Sequence, residues 1–354
     1  MEQGKKGDEN MKWKWLKTLR LEDAERALIL CASAMVVALA LQGDRDAKSA
    51  AAAPEGNYPV VNVQQSENTR ETMVHLADAE GYLIPVTCQV PSEGGIAKVS
   101  LEKMVASPEN DLFAARLGLK TTLPEGTTVD LDIANGHARV DLGGAALQCA
   151  DAEQEALMVQ SVVETLCRFD TVTDVEFLFD GQKRSKLTHG SDLSGVFKSG
   201  GINMESVDQL PVSGASTVQL YFPSSSGRML VPVTRTVYSD PDVTTAVLEL
   251  IRGPRPDSGL ENALPTDLGL RSVQVNDGVV TIDFSATFTA AMEKDESRQA
   301  LKALLFTVRQ FSGVEDVKIL VEGKPYNPPA ESKTTALNLS SDIISYYPGV
   351  IETD

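Results

Sequence analysis

The chain has 354 residues, 42% of them hydrophobic and 23% charged, which is typical of globular proteins and not of disordered chains. At about 150 residues per domain, this length predicts two domains. The formal net charge of −18 argues against a nucleic-acid partner, because an acidic protein repels phosphate backbones. Four cysteines and three histidines exclude a disulfide scaffold and leave little material for a metal site.

The N-terminus predicts export. Residues 1–26 include several lysines and arginines, and residues 27–41 form an uncharged run of mostly Ala, Leu and Val. Basic flanks stay in the cytoplasm, so 1–26 is expected to be a cytoplasmic tail and the bulk of the chain to lie outside the membrane. As a helix the run spans about 22 Å, which is short of a hydrocarbon core of about 30 Å. It therefore fits either a short transmembrane helix or the core of a signal peptide.

Three kinds of processing are compatible with the apolar segment 27–41. We expect it to be retained as a single-pass membrane anchor, because the polar segment before it is long for a cleaved signal peptide. Cleavage at the small-x-small motif 38–40 is the first alternative, and lipidation at Cys31 is the second, with the bulky Leu30 departing from a lipoprotein signal. A buried core helix is disfavoured by the basic flank before the run and the linker after it.

The main part of the chain contains an internal sequence repeat. Leu-Ile-Pro-Val-Thr at 83–87 recurs as Leu-Val-Pro-Val-Thr at 230–234, and residues 164–181 match 306–323 at seven of 18 positions. Such colinear matches predict two copies of one domain. The remaining segments are polar or rich in Ala, Ser and Gln, which is typical of linkers. The predicted boundaries are a flexible linker at 42–70, a first domain at 71–197, a linker at 198–215, a second domain at 216–345 and a tail at 346–354.

The second copy has the clearer element pattern, beginning with two strands and a helix. Short strand patterns at 218–222 and 229–233 are joined by a serine-rich turn, and Pro232 indicates a sheet edge or a bulge. The Asp-Pro pair at 240–241 predicts a helix start, and Gly253 predicts its end. The apolar stripe of this helix consists of Val243, Ala246, Val247, Leu250 and Ile251.

A hairpin, a second helix and a last strand follow. Residues 272–275 and 279–284 flank Asn-Asp-Gly at 276–278, a strong signal for a two-residue hairpin turn. A helix is predicted from about Ser297, and a final strand at 314–321. The apolar face of that helix consists of Leu301, Leu304, Leu305, Val308 and Phe311.

These elements predict an α+β fold, with two tandem β-β-α-β-β-α-β domains and both helices of each domain packed on one sheet face. The first copy repeats the second half of this pattern. Asn135-Gly136 replaces the Asp-Gly turn, and its second helix carries the same apolar stripe. That stripe consists of Val159, Val162, Val163, Leu166 and Phe169.

Candidate catalytic residues are few. Asp130, Asp132 and Asp141 could supply a carboxylate pair for glycan hydrolysis, but Asp130 and Asp132 alternate with apolar residues, which favours a solvated strand face. Asp141 and its equivalent Asp283 end strands, where hydrogen bonding to a local turn or cap is the simpler interpretation. We therefore predict no catalytic residue and no enzymatic activity.

The histidines, cysteines and glycine pairs support no cofactor. His75, His137 and His189 lack a helical i+4 partner, so we expect surface or turn histidines. Cys88, Cys149 and Cys167 have no Cys-x-x-Cys spacing; one disulfide at most is possible, and reduced, packed thiols are equally compatible. The glycine pairs at 94–95, 143–144 and 200–201 lack a phosphate-loop context. We predict no metal, no cofactor and no nucleotide site.

The second copy contains four motifs: LVPV at 230–233, LELIRGP at 248–254, VVTIDFS at 279–285 and FSGVEDV at 311–317. With these motifs the second copy, and more weakly the first, resembles the GerM-type (GerMN) domain family. The resemblance implies an extracytoplasmic protein of bacterial sporulation or spore germination, without known enzymatic chemistry and with a fold like that of ring-building motifs.

Two functions follow as expectations. The first is a membrane-anchored assembly or scaffold protein at the envelope between mother cell and forespore, with self-association or other envelope proteins as partners. The second is a peptidoglycan-binding accessory that recruits or regulates a cell-wall hydrolase, a role implied by the presence of this domain beside amidase domains. The low aromatic content of 5% makes the carbohydrate-binding role the weaker one.

Overall fold

A computed structural model describes three stretches of the chain, residues 69–205, 214–292 and 297–326. No helix within these stretches is long and apolar enough to cross a membrane. The predicted membrane segment 27–41 and the tail 346–354 lie outside the described residues, as does nearly all of the linker 42–70, since the first strand begins at Thr69.

The first repeat contains two strands, two short helices, a hairpin, a long helix and a last strand. A 3₁₀-helix, Gly144–Gln148, precedes the long helix. The elements are β1 (Thr69–Ala77), β2 (Leu83–Pro91), α1 (Ile96–Lys103), α2 (Pro108–Arg116), β3 (Val129–Ala134), β4 (Gly136–Leu142), α3 (Ala152–Leu166) and β5 (Val172–Phe179).

The second repeat follows the same order with small changes. It has one helix after its first hairpin, an added short helix before the long one, and an added two-residue strand at its end. The elements are β6 (Ser216–Pro223), β7 (Leu230–Val237), α4 (Val243–Arg252), β8 (Leu270–Asn276), β9 (Val279–Phe284), α5 (Thr287–Met292), α6 (Ser297–Arg309), β10 (Asp316–Val321) and β11 (Lys324–Pro325).

Both repeats share one topology, as the internal repetition predicts. In the first, β3 runs antiparallel to β4, and β5 is parallel to β4; in the second, β8, β9 and β10 have the same arrangement, and β11 adds an antiparallel edge. The strands β1 with β2, and β6 with β7, form separate antiparallel pairs. The mixed α+β class is confirmed.

The expectation of one sheet per repeat is wrong, because each repeat divides its strands between a hairpin and a second sheet. Parts of the outer edges of the hairpins are bonded by other groups instead of by strands of the second sheet. Ala77 of β1, for example, exchanges two backbone hydrogen bonds with Lys120, of 3.0 and 2.7 Å. The helices contact strands of both sheets, α3 packing on β1 and β5, and α4 on β6 and β8.

The long helices bury the predicted stripes. Val159, Val162, Val163 and Leu166 of α3 are buried, as are Leu301, Leu304, Leu305 and Val308 of α6. Phe169 and Phe311 lie just beyond the helix ends and pack partly buried against the core. Most of the buried apolar residues of both repeats belong to one contiguous cluster, so the two copies share a core.

The turn predictions hold, and one helix boundary moves. Asn135 and Gly136, like Asp277 and Gly278, have positive φ at both turn positions, as a two-residue type I′ hairpin requires. The helix start predicted at 240–241 is wrong by two residues: Asp242 caps α4, accepting a hydrogen bond from Thr245 N at 2.7 Å. Asp242 lies three residues before Thr245, and this is the spacing at which an N-cap side chain accepts a hydrogen bond from a free backbone amide.

Candidate functional site

The strand-end carboxylates occupy equivalent positions in the two repeats. Asp141 at the end of β4 accepts a hydrogen bond from Gly181 N at 3.0 Å, and Asp283 at the end of β9 accepts one from Gly323 N at 2.9 Å. These residues bond backbone amides of a turn, but the expectation that the turn is local is wrong. The turn is the one that follows the neighbouring parallel strand, 40 residues further along the chain.

A second carboxylate completes each strand end. Asp180, in the turn after β5, accepts from Gly144 N at 2.9 Å, and Glu322, after β10, accepts from Ala286 N at 3.2 Å. Both residues have φ 51°, which is a left-handed backbone conformation. Each repeat therefore binds two backbone amides with two carboxylates, and these side chains hold the strand ends together.

The two strand ends differ in charge. In the first repeat, Asp130 lies directly across from Asp141, whereas Ser272 takes the equivalent position across from Asp283. The second repeat also has a bulge after Leu270, and the extra residue, Arg271, pairs with Glu322 and lies 3.4 Å from Asp283. A bulge redirects one side chain, and here it places a guanidinium on the carboxylates.

The first repeat has no such guanidinium, and its carboxylates line a shallow, open pocket. Of the three aspartates proposed for glycan hydrolysis, the structure brings Asp130 and Asp141 together and places Asp132 across from Arg139. Asp130 and Asp132 are exposed on the strand face, as predicted. The lining residues are Thr128, Val129, Asp130, Asp141, Gly143 and Asp180.

The histidines have three different environments, and one expectation about them is wrong. His75 is not a surface or turn residue: it lies in β1, 3% exposed, with Nδ1 hydrogen-bonded to Thr165 Oγ1 at 2.9 Å. Burial, with a smaller contribution from the charge of Arg168, lowers the pKa of His75 to about 3, so it is neutral. His137 follows a turn and pairs with Asp174, and the exposed His189 bonds the carbonyl of Cys149.

The three described cysteines are free thiols. Burial raises the pKa of Cys88 and of Cys149 to about 11, and it also raises that of the less buried Cys167. A thiol with a raised pKa is a poor nucleophile near neutral pH, so packing is the role that these environments support. Among the described residues, no group of three His, Cys, Asp or Glu side chains could hold a metal ion.

Residues 198–205, which we call the connector, bind the first repeat closely. Ser199 Oγ donates to Glu164 Oε2 at 2.7 Å, and Ile202 packs with Ala77 and Leu83 in a small apolar cluster. Asn203, at φ 51°, accepts from Leu83 N and donates to Leu83 O, both at 2.8 Å. The side-chain amide of Asn203 thus imitates a neighbouring strand along the edge of β2.

The connector also binds the second repeat. Asn203 Nδ2 lies 2.7 Å from Pro232 O, and Thr234 N donates to Ile202 O at 3.1 Å. Pro232 has no backbone N–H, so its place on the outer edge of β7 confirms the predicted edge position. One asparagine side chain therefore joins the equivalent strands β2 and β7, at the two copies of the Leu-x-Pro-Val-Thr motif.

An ion-pair network fixes the end of the connector. Glu205 accepts two hydrogen bonds from the buried Arg235, of 2.6 and 2.8 Å, and Glu249 accepts a third at 3.1 Å. Arg235 also donates to the carbonyl oxygens of Glu249 and Gly253, at 3.1 and 2.9 Å. Burial alone would lower the pKa of Arg235, but the two carboxylates outweigh it and raise the pKa.

Two further contacts join the repeats directly. Tyr82 Oη donates to Ser258 O at 2.7 Å, and Ser225 Oγ donates to Glu80 Oε1 at 3.0 Å. We call the connector and these contacts the junction. Sequence reasoning missed the junction, and the available signal was weak: a single arginine within the otherwise uncharged strand β7, at the position where the first copy has Cys88.

This chain is similar to known proteins in both sequence and structure. A family model described as Germane: Sporulation and spore germination matches residues 73–185 and 219–327. The "Spore germination protein GerM" of Bacillus subtilis (strain 168) is 29% identical over 296 residues, which is 79% of this chain and 79% of the relative. The solved structure of the tandem GerMN domains of the sporulation protein GerM from Bacillus subtilis has a TM-score of 0.60 at 26% identity, covering 74% of this chain and 98% of that chain.

The fold and the comparisons thus define a tandem α+β repeat protein of the sporulation and germination class. The chain belongs to the Germane family, and the resemblance to GerMN domains is confirmed for both repeats.

Proposed function

We propose that this chain is a non-enzymatic assembly component of the sporulating cell envelope. In this proposal the segment 27–41 holds it at a membrane, and both repeats lie outside the cytoplasm, at the boundary between mother cell and forespore. Its partners are envelope proteins or further copies of the chain. Family membership supports the sporulation role.

The junction is the observation that carries the assembly role. Asn203 bonds both repeats, Glu205 fixes the end of the connector to the buried Arg235 of the second repeat, and Tyr82 and Ser225 add contacts between the repeats. Two domains joined by a flexible linker would not keep a fixed spacing. Two domains held by such a network present their surfaces at a fixed distance, which is useful in a scaffold.

The chemistry of the candidate catalytic groups supports a non-enzymatic role. Asp141 and Asp283 bind backbone amides, His75 is buried and bonded to Thr165, and the thiols of Cys88 and Cys149 have raised pKa values. Each group has a structural partner or environment. This is the pattern expected when titratable residues maintain a fold.

A fluorescent fusion of the full chain followed through sporulation tests the proposal. We expect fluorescence to gather at the membranes around the forespore, and deletion of the gene to lower the yield of mature spores. A chain with scrambled residues 27–41 serves as the control and should lose the envelope signal. Uniform fluorescence in the mother cell, with normal spore yield after deletion, would contradict the proposal. Retention on purified spore peptidoglycan would favour the cell-wall accessory role instead.

A further inference from the structure

The equivalent strands β3 and β8 differ from the other long outer strands in the hydrogen bonding of their outer edges. In the described stretches, β3 and β8 have no backbone hydrogen-bond partner beyond β4 and β9. Each of the other long outer strands has at least one further hydrogen bond on its outer edge: Lys120 bonds Ala77 of β1, the connector bonds β2 and β7, and Phe197 bonds Val175 of β5. The outer strand beside β10 is β11, which has only two residues. Gln310 covers β6, its side-chain amide bonding Gln219 N and O at 2.7 and 2.6 Å.

The edge of β3 is protected by charge, and the edge of β8 is not. Asp130 and Asp132 point from β3 into solvent, and carboxylates on an edge strand oppose pairing with a second strand. At the equivalent positions β8 has Ser272 and Gln274, so residues 272–276 carry no charge. Val275 of β8 is 53% exposed. An uncovered and uncharged edge with an exposed valine is a template for strand addition.

The hairpin turn fixes which backbone groups of β8 point outward. Asn276 and Val279 flank the two-residue turn and exchange both of their backbone hydrogen bonds. Hydrogen-bonded and non-hydrogen-bonded pairs alternate along an antiparallel ladder. The N–H and C=O groups of Val273 and Val275 therefore point away from β9, towards any added strand.

We propose that β8 pairs antiparallel with β8 of a second copy of this chain, around a twofold axis at Gln274. This register places Val273 opposite Val275 of the second copy, so that the outward backbone groups of both chains bond each other. It also places Arg271 opposite Asp277, and no like charges face each other. The same arrangement of β3 would place Asp130 and Asp132 of two chains together, so the sequence of β8 favours a second copy.

This pairing deepens the proposed function, and rests on it, because it names a contact through which the chain assembles. A single added strand buries less area than a stable interface needs, so the pairing is weak in dilute solution. Copies held at one membrane meet at a high effective concentration, which makes a weak contact sufficient there.

Cysteine cross-linking of the full chain in sporulating cells tests the pairing. The axis at Gln274 makes that residue its own partner in a non-hydrogen-bonded pair, with Cα atoms about 4.5 Å apart, which a disulfide can span. We expect Gln274→Cys to give a cross-linked dimer under mild oxidation. Asp132→Cys, at the equivalent position on β3, is the matched control and should stay at the level of the parent chain.

A second variant measures the pairing without cysteine. Gln274→Lys places two lysines together on the axis, and we expect it to weaken self-association of the full chain in vesicles about fivefold, with an unchanged circular dichroism spectrum. Absent cross-linking of a folded Gln274→Cys chain, or equal cross-linking of Asp132→Cys, would overturn the pairing. In that event, a forespore-membrane signal and a deletion phenotype would leave the proposed function intact, whereas loss of both would refute the function itself.

Discussion

Asn203 and Leu83 form two hydrogen bonds of 2.8 Å each, the pattern that a neighbouring strand would make, although Asn203 is a single side chain. The same amide reaches Pro232 of the other repeat. One side chain at the centre of the junction therefore bonds both copies.

Replacing Asn203 by alanine should separate the unfolding of the two repeats. The change leaves the N–H of Leu83 without its partner, and we expect it to lower the free energy of unfolding by about 1–3 kcal/mol. Denaturant titration should then show a broader or two-step transition.

Gln310→Ala is the matched control for this experiment. It removes the same type of amide from the edge of β6, but its contacts lie within the second repeat. It should lower stability and leave the transition as cooperative as in the parent chain. An unchanged transition in Asn203→Ala would show that the other junction contacts suffice.

Replacing Glu205 by glutamine should be costly, because Arg235 is buried and keeps only Glu249 as a charged partner. We expect a loss of about 2 kcal/mol, measured by thermal or denaturant unfolding. Arg252→Ala breaks an ion pair to the same Glu249 from an arginine side chain that is 73% exposed, so its loss should stay below about 0.5 kcal/mol. Equal losses in both variants would contradict the buried network.

The equivalent threonines of α3 and α6 should respond in opposite directions to valine. Thr165 bonds the buried His75, whereas the buried hydroxyl of Thr307 has no hydrogen-bond partner. We expect Thr165→Val to lower stability by about 1–3 kcal/mol and Thr307→Val to leave it equal or raise it by up to about 1 kcal/mol. The two variants are isosteric, so equal effects would show that the hydroxyls do not matter.

The stability of the first repeat should fall in mild acid because of His75. Its pKa is about 3 in the folded chain and near 6.5 when unfolded, so below about pH 6.5 the unfolded state binds the extra proton. This contribution is complete above pH 6.5, and it decreases by about 1.4 kcal/mol per unit as the pH falls towards 3.

Unfolding measured between pH 4 and 7.5 checks this expectation. His75→Gln should flatten the pH dependence, once the common effect of the carboxylates is subtracted by comparison with the parent chain. His189→Gln replaces an exposed histidine and keeps His75, so it serves as the matched control and should retain the pH dependence that His75 causes. A parent chain and a His75→Gln variant with parallel curves would contradict a neutral buried imidazole.

The helices and turns could be predicted from local sequence patterns, whereas burial of individual side chains and pairing between distant segments depend on long-range contacts. The α6 stripe and the turns at Asn135 and Asp277 depend on neighbouring residues, so they could be predicted. Burial of His75 could not, because it follows from α3 packing on β1, about 90 residues away in sequence. The division of each sheet and the role of Asn203 likewise arise from groups brought together only by the fold.

The carboxylate pairs at the strand ends make the two repeats distinguishable. Two identical modules in tandem would present the same surface twice. Here the inserted Arg271 offsets one of the two carboxylate charges at one end, and Asp130 adds a third carboxylate at the other. Divergence after the duplication thus gave the two halves strand ends of unequal negative charge, so that the two modules are no longer interchangeable at this surface.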